Sequence, residues 1–159
     1  PGATLMSFAN LVEQFAAAAA SGDGDRLADH FTENGTYVDY FFGPYTGRAA
    51  IKEMLAHFSD GGQDFKWTFH DPVGDDQIGY ASYRFSYTSK APEADGARVT
   101  FEGIGRFELS NGKITRYSEV FDRGMALAQQ NIAPERIARI GRKYAAALKA
   151  DPTWKDHLA

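Results

Sequence analysis

Apolar residues recur at intervals of three and four in the first part of the chain and again near its end. This spacing places them on one side of an α-helix and therefore predicts amphipathic helices. Ser21-Gly22 ends the first such pattern, and Pro134 suits the first turn of the last one. The predicted helices cover residues 7–20, 23–31, 49–58 and 134–150.

Apolar and polar residues alternate one by one in the middle of the chain, which is typical of half-buried β-strands. The last two strands are joined by Asn111-Gly112, a pair that favours a tight hairpin turn. Gly43-Pro44 ends an earlier, short strand. The predicted strands cover residues 36–42, 65–70, 78–88 and 98–109, and a last strand ends near Asp122.

The order of these elements is three helices around one short strand, then a meander of longer strands, then a helical tail. This order predicts an α+β domain, with helices packed on one face of a curved, cone-shaped antiparallel sheet that encloses a pocket. We expect one domain over residues 6–125 and a helical tail over 126–159, packed on the domain or on a partner subunit. Met6-Ser7-Phe8 is typical of a natural start, so residues 1–5 are expected to be a cloning remnant.

One acid stands on the apolar side of the last predicted strand. If side chains alternate regularly, Glu119 shares its face with Tyr117 and Phe121. A charged carboxylate is costly there unless it is protonated, used in proton transfer, or paired with Arg84 or Arg106. The face predicted to turn inward carries Thr115, Tyr117, Glu119 and Phe121. The opposite face carries Ile114, Arg116, Ser118 and Val120.

A second acid, Asp39, lies beside Tyr37 in the similar strand 36–42. Two acids on strands rich in aromatic residues predict a pocket in which protons are moved. Tyr37 would bind a substrate oxygen through its hydroxyl. Arg84 would hold an anionic intermediate, unless alternation with its aromatic neighbours leaves it in solvent. The alternative for Asp39 is an ion pair with Arg48.

Aromatic side chains on the predicted strands would line this pocket and favour a flat, apolar ligand. His70 is expected at the substrate or, since it alternates with Trp67 and Phe69, at the surface. Asp122 is expected mainly to cap the helix that follows it. The predicted substrate-binding residues are Tyr40, Trp67, Phe69, His70, Tyr83, Phe85, Tyr117 and Phe121.

Composition excludes several classes of function. The chain has 159 residues, 43% of them hydrophobic and 14% aromatic, and its net charge is −4. This acidity argues against nucleic acids and anionic membranes as partners. The absence of cysteine excludes disulfides, iron–sulfur clusters and a thiol nucleophile. No apolar run is long enough for a membrane span, and the cytoplasm is the expected compartment.

Sequence motifs for cofactor chemistry are missing. Gly103-Ile104-Gly105 stands in a strand with no helix after it, unlike a phosphate-binding loop. The four histidines have no metal-ligand spacing, and no Gly-x-Ser-x-Gly segment is present. We therefore expect neither a metal nor an organic cofactor, and acid/base chemistry remains.

Three segments together resemble the NTF2-like superfamily, in its SnoaL-like and limonene-epoxide-hydrolase-like branch. They are Ser21-Gly22-Asp23 before a short helix, the run from Tyr37 to Ile51, and the hairpin from Phe107 to Asp122. The resemblance covers roughly residues 7–125 and implies the cone-shaped sheet. It does not imply one reaction, because this fold carries many chemistries.

The resemblance to the epoxide hydrolases carries over to the candidate acids. Tyr37 and Asp39 fall where a Tyr and an Asn hold the water, and Glu119 falls where an Asp activates it. These enzymes also need an Arg and an Asp two residues apart on a middle strand. Only Ser82 and Arg84 lie near that place, so the hydrolase relay is expected to be incomplete.

The chain is also similar to ketosteroid isomerase and scytalone dehydratase. Asp39 matches the proton-shuttling Asp of the isomerases, but the two groups that hold their enolate oxygen would be Phe15 and Gly103. Neither residue can donate a side-chain hydrogen bond, which removes a large share of isomerase catalysis. Asp39-Tyr40 resembles a segment of the dehydratase.

These patterns favour a cofactor-independent lyase that acts on a hydrophobic, aromatic small molecule. Dehydration is one form, and retro-aldol loss of an aldehyde from a lignin-derived diarylpropane diol is another. The alternatives are an epoxide hydrolase, an isomerase or a polyketide-type cyclase, and a non-catalytic ligand-binding or assembly module. The related fold commonly dimerises through the outer face of its sheet, so a homodimer or higher homo-oligomer is expected.

Overall fold

The computed structural model describes residues 6–159. The expected remnant at residues 1–5 lies outside the described residues. The predicted helices 7–20, 49–58 and 134–150 are confirmed, with boundaries shifted by at most a few residues. The helices are α1 (Phe8–Ser21), α2 (Gly24–Asp29), α3 (Arg48–Gly61), α4 (Arg123–Ala128) and α5 (Pro134–Ala150), with 3-10 turns at Pro92–Ala94 and Pro152–His157.

The strands of this part of the chain are β1 (Phe31–Asp39), β2 (Gly43–Thr46), β3 (Gly62–Gly74), β4 (Ile78–Ser89), β5 (Arg98–Ser110) and β6 (Lys113–Phe121). They form one curled sheet in the order β2-β1-β6-β5-β4-β3. Strands β3 to β6 are the predicted antiparallel meander. The predicted α+β class with a curved sheet and helices is therefore confirmed.

Strand β1 runs parallel to β6, whereas the sequence predicted antiparallel pairing throughout. Parallel neighbours need a long crossover connection, and here α3 and the whole meander separate the two strands along the chain. Tyr37 of β1 lies opposite Tyr117 of β6. The sheet is therefore mixed, and this pairing brings Tyr37 and Asp39 beside the strand that carries Glu119.

The start of β1 also differs from the prediction. The predicted second helix was expected to run to Phe31, but the strand begins at that residue rather than at Thr36. Asn34-Gly35, predicted as a turn, lies within the strand where its pairing with β6 shifts register. A Cβ on Gly35 would come within 2.8 Å of the Ile114 carbonyl oxygen, so close backbone approach accounts for the glycine.

Strand β2 was missed, because Gly43-Pro44 was interpreted only as the end of the preceding strand. Gly43 adopts a φ of 96°, which turns the chain back on itself. Tyr45 then lies opposite Tyr37 in an antiparallel pair. The short strand at the sheet edge therefore follows from a turn that the sequence did signal.

A bulge in β6 corrects the predicted facing of its first residues. Leu109 pairs with Ile114 and Glu108 with Arg116, so Thr115 is an extra residue on this strand. Ile114 is consequently fully buried, although simple alternation placed it on the outer face. Beyond the bulge the prediction holds: Tyr117 is buried, and Val120 on the opposite face is 57% exposed.

Aromatic rings dominate the core between the helices and the inner face of the sheet. Phe15 of α1 contacts the rings of Tyr37, Trp67, Phe107 and Tyr117, with ring centroids 4.8 to 6.1 Å apart. The apolar stripe of α1 is thereby buried, mainly against β3. This packing closes the narrow end of the curled sheet and leaves its other end open to a cavity.

Helix α5 lies across the open end of the sheet. Tyr144 donates a hydrogen bond to the Phe41 carbonyl, and the Arg136 Nη1 atom lies 3.6 Å from the Glu93 Oε1 atom. No helix among residues 6–159 is both long and apolar enough to cross a membrane. The domain boundary at residue 126 and the cytoplasmic location stay predictions.

Candidate active site

A cavity of about 570 Å³ lies between the inner face of the sheet, the end of α3 and helix α5. Two acids, the buried Asp39 and the half-buried Glu119, lie in its wall beside the hydroxyl-bearing Tyr37 and Tyr83. We call these four residues the acidic end. The remaining wall is mainly aromatic, which suits a flat, apolar ligand with a few polar atoms.

Asp39 ends strand β1 and is 6% exposed. Its Oδ1 accepts hydrogen bonds from the backbone N–H groups of Phe41 and Phe42, each at 2.9 Å. These bonds form an Asx-type turn that holds the carboxyl group in place. Burial raises the pKa of Asp39, while the two N–H groups and the nearby Arg123 oppose that rise. These opposing contacts stabilise the charged form of Asp39 despite its burial.

Glu119 faces the same cavity from β6. Its Oε2 accepts a hydrogen bond of 2.5 Å from the Tyr117 hydroxyl. Burial raises the pKa of Glu119 to about 8; the Tyr117 hydrogen bond opposes the rise, and the charge of Asp39 adds to it. Glu119 is therefore mostly protonated at neutral pH and can donate a proton.

The neighbouring phenols remain protonated over the physiological range. Burial raises the pKa of Tyr37 and Tyr117 well above the ordinary value, and the charges of Glu119 and Asp39 raise that of Tyr37 further. Burial also raises the pKa of Tyr83. These residues therefore act as hydrogen-bond donors rather than as bases.

Two donors in the cavity wall are buried: the Trp67 indole Nε1–H makes no hydrogen bond within residues 6–159, and the Tyr83 hydroxyl lies beside Glu119 without a well-formed hydrogen bond. Buried donors normally have a partner, and leaving one unpaired costs free energy. Because they lie in the cavity wall, both can donate to acceptor oxygens inside the cavity.

Two glycines of β5 make room for the phenols beside Glu119. A Cβ on Gly103 would come within 2.5 Å of the Tyr83 hydroxyl, and a Cβ on Gly105 within 3.0 Å of the Tyr117 ring. The Gly103-Ile104-Gly105 segment thus has a steric role. It lets two tyrosines approach the sheet around one carboxyl group.

The middle of the cavity is an aromatic wall, which we define as Trp67, Phe85, Phe101 and Phe121. Phe101 and Phe121 stack with centroids 4.1 Å apart, and Phe85 contacts both Phe101 and Trp67 at 5.1 and 5.4 Å. Trp67, Tyr83, Phe85 and Phe121 were predicted to bind substrate, and all four line the cavity.

Three other predicted contact residues do not reach the cavity. Phe69 and Tyr117 pack in the layer beneath it, against Phe107. Tyr40 lies outside, where its ring contacts Phe121. Regular alternation identified the inward face correctly. The position of each inward residue along the axis of the curled sheet decides whether it lines the cavity or packs in the layer beneath it.

Arg84 and His70 lie on the outer face of the sheet, away from the cavity. Arg84 is exposed opposite Thr68 and Glu102, because β4 keeps a regular pleat that turns Tyr83 and Phe85 inward. His70 is half-buried on the same outer face. The expected role of Arg84 in holding an oxygen and that of His70 in binding substrate are therefore corrected.

Several site residues were not singled out from the sequence. Arg123 lies between two rings, 3.7 Å from the Tyr40 centroid and 3.5 Å from that of Tyr144, and its Nε donates to the Tyr40 carbonyl. Gln130 and Tyr87 line the end of the cavity opposite the acids. Alternation along β4 places Tyr87 on the inner face with Tyr83 and Phe85. No local pattern marks Arg123 or Gln130, since α4 and the loop after it meet the sheet only in three dimensions.

Asp122 caps helix α4, as predicted: its Oδ1 accepts the Met125 N–H at 2.9 Å. Among the described residues no group of three His, Asp or Glu side chains is arranged to hold a metal ion. The chemistry that the cavity residues themselves offer is proton donation by Glu119, proton acceptance by Asp39 and hydrogen bonding by phenols.

Residues 12–117 match the SnoaL-like domain family. The match covers most of the chain, and the fold just described agrees with it. The protein therefore belongs to the SnoaL-like family of the NTF2-like fold, as the sequence resemblance predicted.

Solved structures with the same fold include proteins of different activity. A hypothetical protein with a ketosteroid isomerase-like fold from Catenulispora acidiphila is 19% identical, with a TM-score of 0.71 over 80% of this chain and 96% of that chain. An LEH-like epoxide hydrolase from M. tuberculosis is 20% identical, with a TM-score of 0.62 over 77% and 87%.

A candidate polyketide cyclase from Xanthomonas campestris is 22% identical, with a TM-score of 0.65 over 77% of this chain and 95% of that chain. Identities this low show a shared fold alone. The reaction has to be inferred from the cavity of this protein.

Proposed function

We propose that this protein is a cofactor-independent acid/base lyase that acts on a hydrophobic, aromatic small molecule. The observation that carries the proposal is a pair of acids that face one aromatic cavity, with the pKa of Glu119 raised to about 8. Asp39 would be the base and Glu119 the acid, since backbone N–H groups stabilise only the Asp39 carboxylate.

In a dehydration, Asp39 takes a proton from carbon and the adjacent C–O bond breaks. The released electron pair forms the C=C bond, and Glu119 gives its proton to the leaving hydroxyl, which departs as water. Tyr37 and Tyr83 would hold the substrate oxygen during the step.

A retro-aldol type cleavage of a diarylpropane diol uses the same two acids. Asp39 takes the proton of the terminal hydroxyl, and the neighbouring C–C bond breaks to release an aldehyde. The electron pair of that bond forms a C=C bond, and the second hydroxyl leaves as water with the proton of Glu119. Proton exchange with solvent then restores both carboxyl groups.

The position of Arg84 supports a lyase over an epoxide hydrolase. The hydrolase resemblance needed an Arg on the middle strand, and Arg84 is exposed on the outer face of the sheet. Incorporation of oxygen from labelled water into the product separates the two reactions: hydrolysis incorporates it and elimination does not.

An isomerase is a second candidate, favoured by one observation. The Tyr83 hydroxyl lies where a side chain on Gly103 would project, and so supplies an oxygen-binding donor that the sequence comparison lacked. An isomerase returns a product of the same mass as its substrate, whereas the proposed lyase releases water or an aldehyde. Mass spectrometry of the products distinguishes them.

The experiment that tests the lyase is conversion of 1,2-diarylpropane-1,3-diols by the purified protein and by Asp39→Asn and Glu119→Gln. We expect each variant to lose roughly 100-fold or more of kcat, the usual contribution of a general acid or base. Glu102→Gln, which removes an acid from the outer face, is the matched control and should retain full activity. Unchanged turnover in both site variants would rule out the mechanism.

A ligand carrier remains the contrasting outcome. It would bind an aromatic molecule in the cavity and release it unchanged after long incubation.

We also propose a homodimer formed through the outer face of the sheet. That face presents exposed apolar side chains from several strands, including Val73, Ile104 and Val120. Light scattering of the wild type and of Val120→Glu tests the proposal. A dimer that the substitution converts to a monomer supports it, and a monomeric wild type contradicts it.

A further inference from the structure

A second group of polar residues lies at the opposite end of the cavity from the acids. Gln130 and Tyr87 line this end, and the buried Ser89 supports Gln130 from behind. We call these three residues the amide end. The proposed chemistry at Asp39 and Glu119 makes no use of them.

Hydrogen bonds fix the orientation of the Gln130 side chain, which is 8% exposed. Its Oε1 accepts the Ser89 hydroxyl proton at 2.7 Å, and the Ser89 Oγ in turn accepts the Ala91 N–H at 3.1 Å. The Gln130 Nε2 donates one hydrogen to the Ala126 carbonyl at 3.3 Å. An amide nitrogen carries two hydrogens, so the second can be donated to the neighbouring Tyr87 hydroxyl or to a ligand oxygen.

The preceding residue, Gln129, sets the position of this amide. Its side chain bonds both backbone groups of Thr100: Oε1 accepts the N–H at 2.9 Å, and Nε2 donates to the carbonyl at 2.8 Å. This two-point contact attaches the end of α4 to β5. Gln130 is thereby held against the cavity with little freedom to move away.

The cavity is long compared with a single aromatic ring. Tyr83 marks the acidic end and Tyr87 the amide end on the same face of β4, and four strand residues span about 13 Å. Phe85 and the rest of the aromatic wall lie between them. A ligand that contacts both ends therefore needs two aromatic rings or an equally long flat body.

We propose that the amide end is a distal binding subsite, in which Gln130 and Tyr87 hydrogen-bond an aryl hydroxyl of a two-ring substrate. The other end of that substrate would then lie at Asp39 and Glu119. This inference rests on the proposed function for the reacting end, but the subsite itself is a binding property. Gln130 and Tyr87 select the substrate and do not take part in the chemistry.

Equilibrium binding of two matched probes tests the subsite without turnover. The probes are trans-4-hydroxystilbene and trans-4-methylstilbene, which differ by a hydroxyl in place of a methyl group, and quenching of tryptophan fluorescence reports their Kd. We expect the wild type to bind the phenol about 3- to 10-fold more tightly, the usual value of one hydrogen bond.

Variants at the two ends locate the preference. Gln130→Met keeps the size of the side chain but removes the amide, and Tyr87→Phe removes the hydroxyl; we expect each to lower the preference for the phenol. The double variant Asp39→Asn/Glu119→Gln should retain it, since the acids lie at the other end. An unchanged preference in both Gln130→Met and Tyr87→Phe, or its loss in the acid variant, would overturn the subsite.

The two proposals fail in distinguishable ways. A preference for the phenol that depends on Gln130, without conversion of any diol, supports the subsite and refutes the lyase. Conversion of diols with no effect of Gln130 or Tyr87 on the preference for the phenol refutes the subsite and leaves the lyase standing.

Discussion

At the scale of single residues, the two acids of the cavity differ in the groups that surround them. Asp39 accepts two backbone N–H groups, whereas Glu119 accepts one phenolic proton and lies within range of the Asp39 charge. These contacts favour a charged Asp39 beside a protonated Glu119. A base and an acid at one pH are what an elimination requires.

Tyr117 lowers the pKa of Glu119 from its position beneath the cavity, away from the substrate. Its hydroxyl stabilises the charged carboxylate, so Tyr117→Phe should raise the pKa of Glu119 further. Since the reaction needs protonated Glu119, kcat/KM of the wild type should fall as the pH rises through about 8. In Tyr117→Phe this alkaline fall should occur at a higher pH. Tyr80→Phe on the outer face is the control. A limb that does not move would exclude this role for Tyr117.

Gly103 is a steric requirement of the site. Gly103→Ala would place a methyl group 2.5 Å from the Tyr83 hydroxyl, so the phenol or the strand must shift. We expect a loss of about 1–3 kcal/mol in the free energy of unfolding and a fall in turnover. Gly61→Ala, where a Cβ meets no atom within 4 Å, is the matched control. Equal urea midpoints for both variants and the wild type would contradict the account.

The sequence identified both acids, because a carboxylate among aromatic residues on a strand stands out from its surroundings. The sequence also indicated that Arg84 points outward, since it alternates with the inward Tyr83 and Phe85. The catalytic role suggested for Arg84 came from the chemistry of its side chain rather than from the pattern. Tyr83 was predicted as a contact residue, but its close approach to Gly103 depends on the three-dimensional packing.

At the scale of elements, α5 is held over the cavity by a small number of side chains. Arg123 is sandwiched between Tyr40 and Tyr144, and Tyr144 also donates to the Phe41 carbonyl. None of the residues of α5 is fully buried. The attachment of this helix therefore depends on the Arg123 contacts more than on apolar burial.

Replacing Arg123 should loosen α5. Arg123→Gln removes the cation that contacts both rings, and we expect backbone amides of residues 134–150 to exchange hydrogen roughly tenfold faster, in line with the energy of a partly buried cation–π contact. Arg139→Gln, an exposed substitution on α5 itself, should leave exchange unchanged. Equal exchange in both variants would contradict this role of Arg123.

The helices and the meander were predictable because their patterns are local. The parallel pairing of β1 with β6 was not, since it joins segments that are far apart in the chain and leaves no periodic signal in either. The bulge at Thr115 was likewise hidden, because one extra residue reverses alternation without changing composition. Gln130 reaches the cavity only through the docking of its neighbour Gln129 on β5.

At the scale of the whole molecule, the two acids of the cavity couple stability to pH. Burial raises the pKa of both Asp39 and Glu119 in the folded protein, so the folded state holds protons that the unfolded chain releases. The free energy of unfolding must therefore fall as pH rises from the ordinary Glu value of 4.5 to about 8.

Glu119→Gln should remove most of this dependence. We expect the wild type to lose on the order of 3 kcal/mol between pH 5 and pH 8.5, and the variant to lose much less. Urea denaturation at the two pH values measures the difference, with Glu102→Gln as the control that keeps the wild-type slope. A wild type equally stable at both pH values would contradict a raised pKa of Glu119 in the folded protein.

The most direct test of the account is a titration of the Glu119 carboxyl carbon by NMR in protein labelled with 13C-glutamate. Glu119→Gln assigns the resonance by its disappearance. The account predicts one glutamate carboxyl that titrates with a midpoint near 8, as expected for an acid that is still protonated at neutral pH. If every glutamate resonance titrates near the ordinary value of 4.5, Glu119 is charged at neutral pH and cannot be the proton donor.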